Sequence, residues 1–259
     1  MNATMHSFAD KLQDASSQDE CFGLMYDVAT AIGFSAFAYD YTPVTRSHGG
    51  EVIPPNLLRT YNMPDDFEDL WLNHGYYAID VAWLACHDTT VPFVWICGSC
   101  FTVPEAGVRL ESGPKYRQMF EYMNDVKLTI GINVPVHVPG GGLATVNALK
   151  FDPERRFLED AHNWVGEFTK CAYQLQAAVA KHFDNSVLRS RYVHLSEREI
   201  ECLRLSARGH TTEEIAEQIY RSVPTAALHL KNAAQKLGAR NRAQAIARAA
   251  HYHLLDDAC

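Results

Sequence analysis

Two sets of side chains stand at spacings that chemistry can use. In the first, Thr225, Ala227, Leu228, Lys231, Asn232 and Gln235 share one face of a helical stretch, while Ala226, Leu230, Ala233 and Leu237 share the other. Amide and ammonium groups hydrogen-bond base edges in a major groove, apolar tips touch thymine methyls, and flanking cations reach phosphates. Arg221, Lys236, Arg240 and Arg242 are the flanking cations. Such charges also merely solvate small helical bundles, so no single one is decisive. In the second set, Phe67 and Trp71 are four residues apart on a helix and therefore point the same way, with Asp80 and Trp95 following. An aromatic lining with a few placed polar groups suits a pocket for an amphipathic small molecule. Core aromatics beside an Asp that N-caps the next helix would read the same way, and spacing alone does not separate the two.

The helical stretch belongs to a set of four. Ser196 and Glu199 form the Ser-x-x-Glu pattern of a capping box, and Gly209 suits the left-handed C-cap that ends that helix. Thr211 and Glu214 repeat the box for a second helix with Ile215, Ala216 and Ile219 inward. Ser222 caps the third, with Pro224 in its first turn and Gly238 at its end; an Ala-rich fourth begins after Asn241. Two helices joined by a tight Gly turn are half of a helix-turn-helix.

Ahead of this set, Ser17 caps a helix to about Ala31, and Phe34 to Tyr41 alternates as a strand, with Phe37, Tyr39 and Tyr41 opposite Phe34, Ala36 and Ala38. Leu128, Ile130, Ile132, Val134, Val136 and Val138 share a face of a longer strand, which Pro139-Gly-Gly-Gly142 turns into a hairpin with Leu143 to Phe151. A further strand spans Pro92 to Ile96. Helical patterns cover 65–74, 81–87 and 114–126, and a long helix covers about Glu154 to His182. Mixed elements without regular βαβ alternation point to an α+β fold, an N-terminal α-β-α sandwich on an antiparallel sheet followed by a four-helix head. Residues 1–182 form the first domain, 183–194 a linker and 195–259 the head.

Composition agrees with two functions in one chain of 259 residues. From Val187 onward the net charge is +3, whereas the preceding residues carry -11, within a total of -8. The asymmetry permits nucleic-acid binding that the overall acidity would argue against. No run of about eighteen apolar residues and no signal-peptide pattern is present, so a cytoplasmic protein without a membrane partner is expected. Seven cysteines at scattered positions do not make a disulfide framework, and Cys97-Gly-Ser-Cys100 has no second pair at zinc spacing. There is no phosphate loop, zinc motif or nucleophile elbow, so no enzyme, metal or cofactor is expected. A response regulator would need an acidic cluster and an Asp at the end of an apolar strand in a doubly wound pattern, and neither appears.

Four segments at matching intervals, Leu195-Ser-x-Arg-Glu-x-Glu-x-Leu203, Gly209-x-Thr-x-x-Glu-Ile-Ala216, Ser222-x-x-Thr-x-x-x-His229 and Lys236-Leu-Gly-Ala-x-Asn-Arg242, resemble the C-terminal helix-turn-helix of LuxR-type transcription factors. The resemblance makes Glu199, Leu203 and Gly209 signature positions and the helix from about Val223 the recognition helix. Ala226 and Ala227 replace a Val and a frequent Lys, so a target site cannot be borrowed from relatives. It also implies a homodimer on two-fold symmetric double-stranded DNA.

In this family a sensor domain for acyl-homoserine lactones precedes the head. Its Trp, Tyr, Asp and Trp positions fall on Phe67, Trp71, Asp80 and Trp95 without a gap. Phe67 lacks the indole N–H that meets the lactone carbonyl, and an unpaired buried carbonyl costs about 1–3 kcal/mol. Trp71 replaces the Tyr hydroxyl with an N–H at a different point; Asp80 keeps an acceptor for a ligand N–H and Trp95 a stacking surface. The pattern resembles LuxR relatives without a dedicated synthase that answer to other signals, including plant or host compounds. The expected ligand is therefore a non-lactone or altered molecule with an amide-like N–H; Tyr61, Tyr77 and Asn147 are further pocket candidates. A conventional lactone receptor and a ligand-independent regulator remain the alternatives.

Overall fold

A computed structural model describes residues 3–97, 100–103, 108–111, 113–152 and 157–256. Seven antiparallel strands form one sheet in the order β2-β1-β7-β6-β3-β4-β5: β1 Ala36–Thr42, β2 Leu57–Tyr61, β3 Phe93–Cys97, β4 Cys100–Val103, β5 Val108–Glu111, β6 Leu128–His137 and β7 Leu143–Phe151. Helices cover both faces, giving the expected three layers. On one face lie α1 (Ala3–His6), α2 (Phe8–Asp14), α3 (Gln18–Ala31) and α7 (Phe157–Val179), packed on Phe37, Tyr39 and Ile132 among others. On the other lie α4 (Phe67–Leu72), α5 (Val81–Cys86) and α6 (Arg117–Asp125), over Ala36, Ala38 and Trp95.

The strand alternation holds with one break. Ile130, Ile132, Val134 and Val136 share the first core as expected, but Leu128 belongs to the second. The register of β6 against β7 shifts between Leu128 and Ile130, and an extra residue there turns every side chain before it to the opposite face. The long helix begins at Phe157; positions 153–156, where an earlier start was expected, lie outside the described residues, as do Gly98 and Ser99 of the Cys97–Cys100 pair. Strands β2, β4 and β5 and the two N-terminal helices had no counterpart in the sequence reading.

The C-terminal head comprises α9 (Glu197–Ala207), α10 (Thr212–Gln218), α11 (Val223–Lys236) and α12 (Arg242–His251). Both capping boxes form: Ser196 with Glu199 and Thr211 with Glu214 each exchange side-chain and backbone bonds. Gly209 takes the positive φ of 94° that its turn requires. A short α8 (Asn185–Leu188), N-capped by Asp184, joins the two parts. Ala245 and Ala249 of α12 are buried within the head, while Ala250 is exposed.

Candidate signal pocket and nucleic-acid interface

Between the sheet and the α4–α6 layer lies a cavity of about 50 Å³. Phe67 and Trp71 of α4, Tyr77, Asp80 at the start of α5, Trp95 of β3 and Asn147 of β7 all line it. Tyr61 does not. At the end of β2 its ring stacks on Tyr26 at 5.3 Å and its hydroxyl donates to the Asp19 carbonyl, in the layer across the sheet. The strand's alternation explains this: Leu58 faces the cavity, and Tyr61, an odd number of residues away, faces the other side.

The two readings of Asp80 are both realised. Oδ1 accepts from the Trp83 backbone N–H at 3.0 Å and so caps α5, while Oδ2 accepts from Trp71 Nε1 at 2.7 Å. Trp71 therefore gives its indole proton to the protein, where a free ligand donor was expected. Its ring stacks on Phe67 with centroids 3.9 Å apart. Trp95 Nε1 donates to Asn133 Oδ1 at 2.8 Å, and the ring lies against Gly131, where a Cβ would come within 2.5 Å of Cζ2. Gly131 is thus the seat of Trp95, its register partner on β6.

Asp40 and Trp83, lining residues that the sequence reading passed over, complete the site. Asp40 lies in the middle of β1, only 3% exposed. Its Oδ1 accepts from Trp83 Nε1 at 3.0 Å and its Oδ2 from the Thr145 hydroxyl. Burial pushes the Asp40 carboxyl up to about 7; the Thr145 and Trp83 bonds pull it back, and the neighbouring Asp80 adds to the rise. Burial also raises Asp80, against the bonds from Trp83 and Trp71. Asn147 Nδ2 donates to Thr145 Oγ1 at 2.9 Å, but its Oδ1 is buried without a partner. The signal for Asp40 was present in the alternation. A strand whose large face reads Phe37, Tyr39, Tyr41 has Ala36, Ala38 and Asp40 opposite, and both faces are buried.

In the head, Leu228 is 53% exposed, Lys231 and Gln235 are exposed, and Thr225 and Asn232 are half-buried. Ala226, Ala233 and Leu237 turn inward as expected. Arg221 and Arg240 are exposed beside this face. Of the four cations assigned to phosphates, Arg221 donates to the adjacent Tyr220 carbonyl at 3.0 Å, and two others are tied to distant parts of the head. Lys236 Nζ donates to Glu199 Oε2 at 2.8 Å, and Glu199 is 4% exposed. Burial opposes ionisation of Glu199, but Lys236 and the Ser196 bonds outweigh it and hold the carboxyl below its ordinary value. Arg242 donates to the Ser206 hydroxyl and the His210 carbonyl, tying the start of α12 to the α9–α10 turn. Buried acceptors outcompete solvent for these side chains, which spacing could not reveal. Glu199 and Leu203 are buried parts of the scaffold.

Comparison with known proteins agrees with both halves. Residues 17–177 match the family model described as autoinducer binding domain, and residues 193–249 match bacterial regulatory proteins, luxR family. The transcriptional activator protein BjaR1 of Bradyrhizobium diazoefficiens is 24% identical over 231 residues, 88% of each chain. The spore germination protein GerE of Bacillus subtilis is 42% identical over 52 residues, 20% of this chain and 70% of that protein. The crystal structure of SdiA from Escherichia coli shares the fold with a TM-score of 0.54 at 16% identity, over 98% of both chains. A ligand-binding domain followed by a helix-turn-helix makes a ligand-responsive transcriptional regulator and not an enzyme, and the chain belongs to the autoinducer-binding LuxR family.

Proposed function

We infer that this regulator senses a small non-lactone molecule, of plant or host origin as in similar relatives, and binds two-fold symmetric DNA as a homodimer. The observation that carries the ligand reading is the direction of the indole protons. Phe67 offers none, and the Nε1 groups of Trp71, Trp83 and Trp95 all reach protein acceptors. An acyl-homoserine lactone brings two buried carbonyls that need donors, and none of the three lining indoles has its proton free for them. SdiA, at 19% identity and a TM-score of 0.56, has been solved in complex with octanoyl-rac-glycerol, a molecule without a lactone ring. For DNA, Thr225, Leu228, Lys231, Asn232 and Gln235 make base contacts, with Arg221 and Arg240 on phosphates.

The test is thermal melting and soluble yield of the full chain with acyl-homoserine lactones or with plant or host extract. A ligand selective for the native state at a hundredfold excess over its Kd stabilises by about 2.7 kcal/mol. Stabilisation by lactones at micromolar concentration would refute the non-lactone reading. The small cavity and the Phe67–Trp71 stack favour a second reading, a regulator filled by its own aromatics, which predicts no stabilisation by any extract.

A further inference from the structure

We propose that Asp40 and Asn147, linked to each other through Thr145, form an acceptor pair that receives the ammonium of a small amphipathic amine, the tail lying among the pocket aromatics. This deepens the non-lactone reading and rests on it. Three features converge. First, the cavity is lined by two carboxylates, Asp40 and Asp80, and by no Lys, Arg or His among the described residues. A buried carboxylate without a counter-charge is costly, and an incoming cation would supply the missing partner. Second, Asn147 Oδ1 is a buried acceptor left without a donor, on a side chain that lines the cavity and is bonded to Thr145, which in turn donates to Asp40. An ammonium has three protons and accepts nothing, so it suits a group of acceptors as a carbonyl or a lactone oxygen does not. Third, Phe67, Trp71 and Trp95 line the same space with apolar ring surface that suits an alkyl tail. The cavity's 50 Å³ restricts the guest to a short chain unless the Phe67–Trp71 stack opens.

The experiment titrates the full-length protein with straight-chain primary amines of about four to eight carbons and with the alcohols of equal length, by calorimetry and thermal melting. The matched pairs differ in charge and not in tail. Amines are expected to bind at least tenfold more tightly than the matching alcohols, and Asp40→Asn to bring that ratio close to one. Asn147→Leu, which removes the orphan acceptor without touching the carboxylate, is expected to weaken amines more than alcohols, and it keeps the test open should Asp40→Asn fail to fold. Equal affinity for amines and alcohols in the wild-type protein overturns the ammonium assignment while leaving the non-lactone reading intact. Binding of neither series also overturns it. Tight binding of N-hexanoyl-homoserine lactone instead sinks both.

Discussion

At the residue scale the site depends on where individual protons are held. Asp40 carries a proton in the folded chain up to about pH 7, whereas an unfolded Asp loses it near its ordinary value of 3.8. Between these values the folded state binds more protons than the unfolded one, so Asp40's contribution to stability falls as pH rises from about 4 to 7 and is constant above. The upper bound on that loss is about 4 kcal/mol. Asp80, Tyr77 and Cys86 face the same region, and Asp80, also raised by burial, moves in the same direction. Asp40→Asn, neutral throughout, should therefore gain on the wild type in melting temperature across this range; a constant difference from pH 4 to 8 would show that the carboxyl is not desolvated. The two classes of head cation separate in the same way. Lys231→Ala should weaken DNA binding in gel shifts and relax the preference for the target sequence, as loss of a base contact does, with melting unchanged. Arg242→Ala should lower the melting temperature instead, by loss of its bonds to Ser206 and His210. Loss of DNA affinity with unaltered melting in Arg242→Ala would restore the phosphate role.

Elements were legible where local chemistry decides them. Capping boxes at Ser196 and Thr211, and Gly209 after the first head helix, place α9 and α10 because those bonds form between neighbours in the chain. The strands β6 and β7 were legible from alternation, yet the bulge before Ile130 was not, since only pairing with β7 shows the extra residue. Strand β2 escaped because Leu57-Leu-Arg-Thr-Tyr61 alternates poorly and takes its register from Tyr41 to Phe37. The pocket was legible to the same extent: Phe67, Trp71, Asp80 and Trp95 are brought together, but the acceptors of the Trp83 and Trp95 indole protons lie on β1 and β6, distant in sequence. Gly131 is the test at this scale. Gly131→Ala puts a Cβ into the Trp95 ring and should displace it, lowering stability by about 1–3 kcal/mol and reducing ligand-induced stabilisation. Unchanged melting and near-ultraviolet circular dichroism would mean that the ring has room to move.

At the scale of the whole molecule, a signal buried in one half must reach the other, and the connection between β1 and β2 is the contact that can carry it. Val44 and Ile53 of that connection pack into the head core with Leu203, Leu237 and Tyr252. The Tyr252 hydroxyl lies 2.7 Å from His48 Nδ1, His251 Nε2 donates to the Arg46 carbonyl at 2.8 Å, and Tyr192 donates to Glu51 at 2.5 Å. Asn56 Nδ2 meanwhile donates to the Val187 and Arg189 carbonyls at 2.9 and 2.5 Å, holding the connecting segment. The same connection leads from Asp40 in β1 to Leu58 in β2, both of which line the cavity. A guest that moves either strand therefore strains the seat of the head, and a second discrete seating would supply the bistable element that coupling requires. Tyr252→Phe keeps the ring in the head core and removes only the hydroxyl. Proteolysis across residues 183–194 should then become faster in the unliganded protein while the head's own melting stays unchanged. A cleavage rate equal to that of the wild type would place the coupling elsewhere.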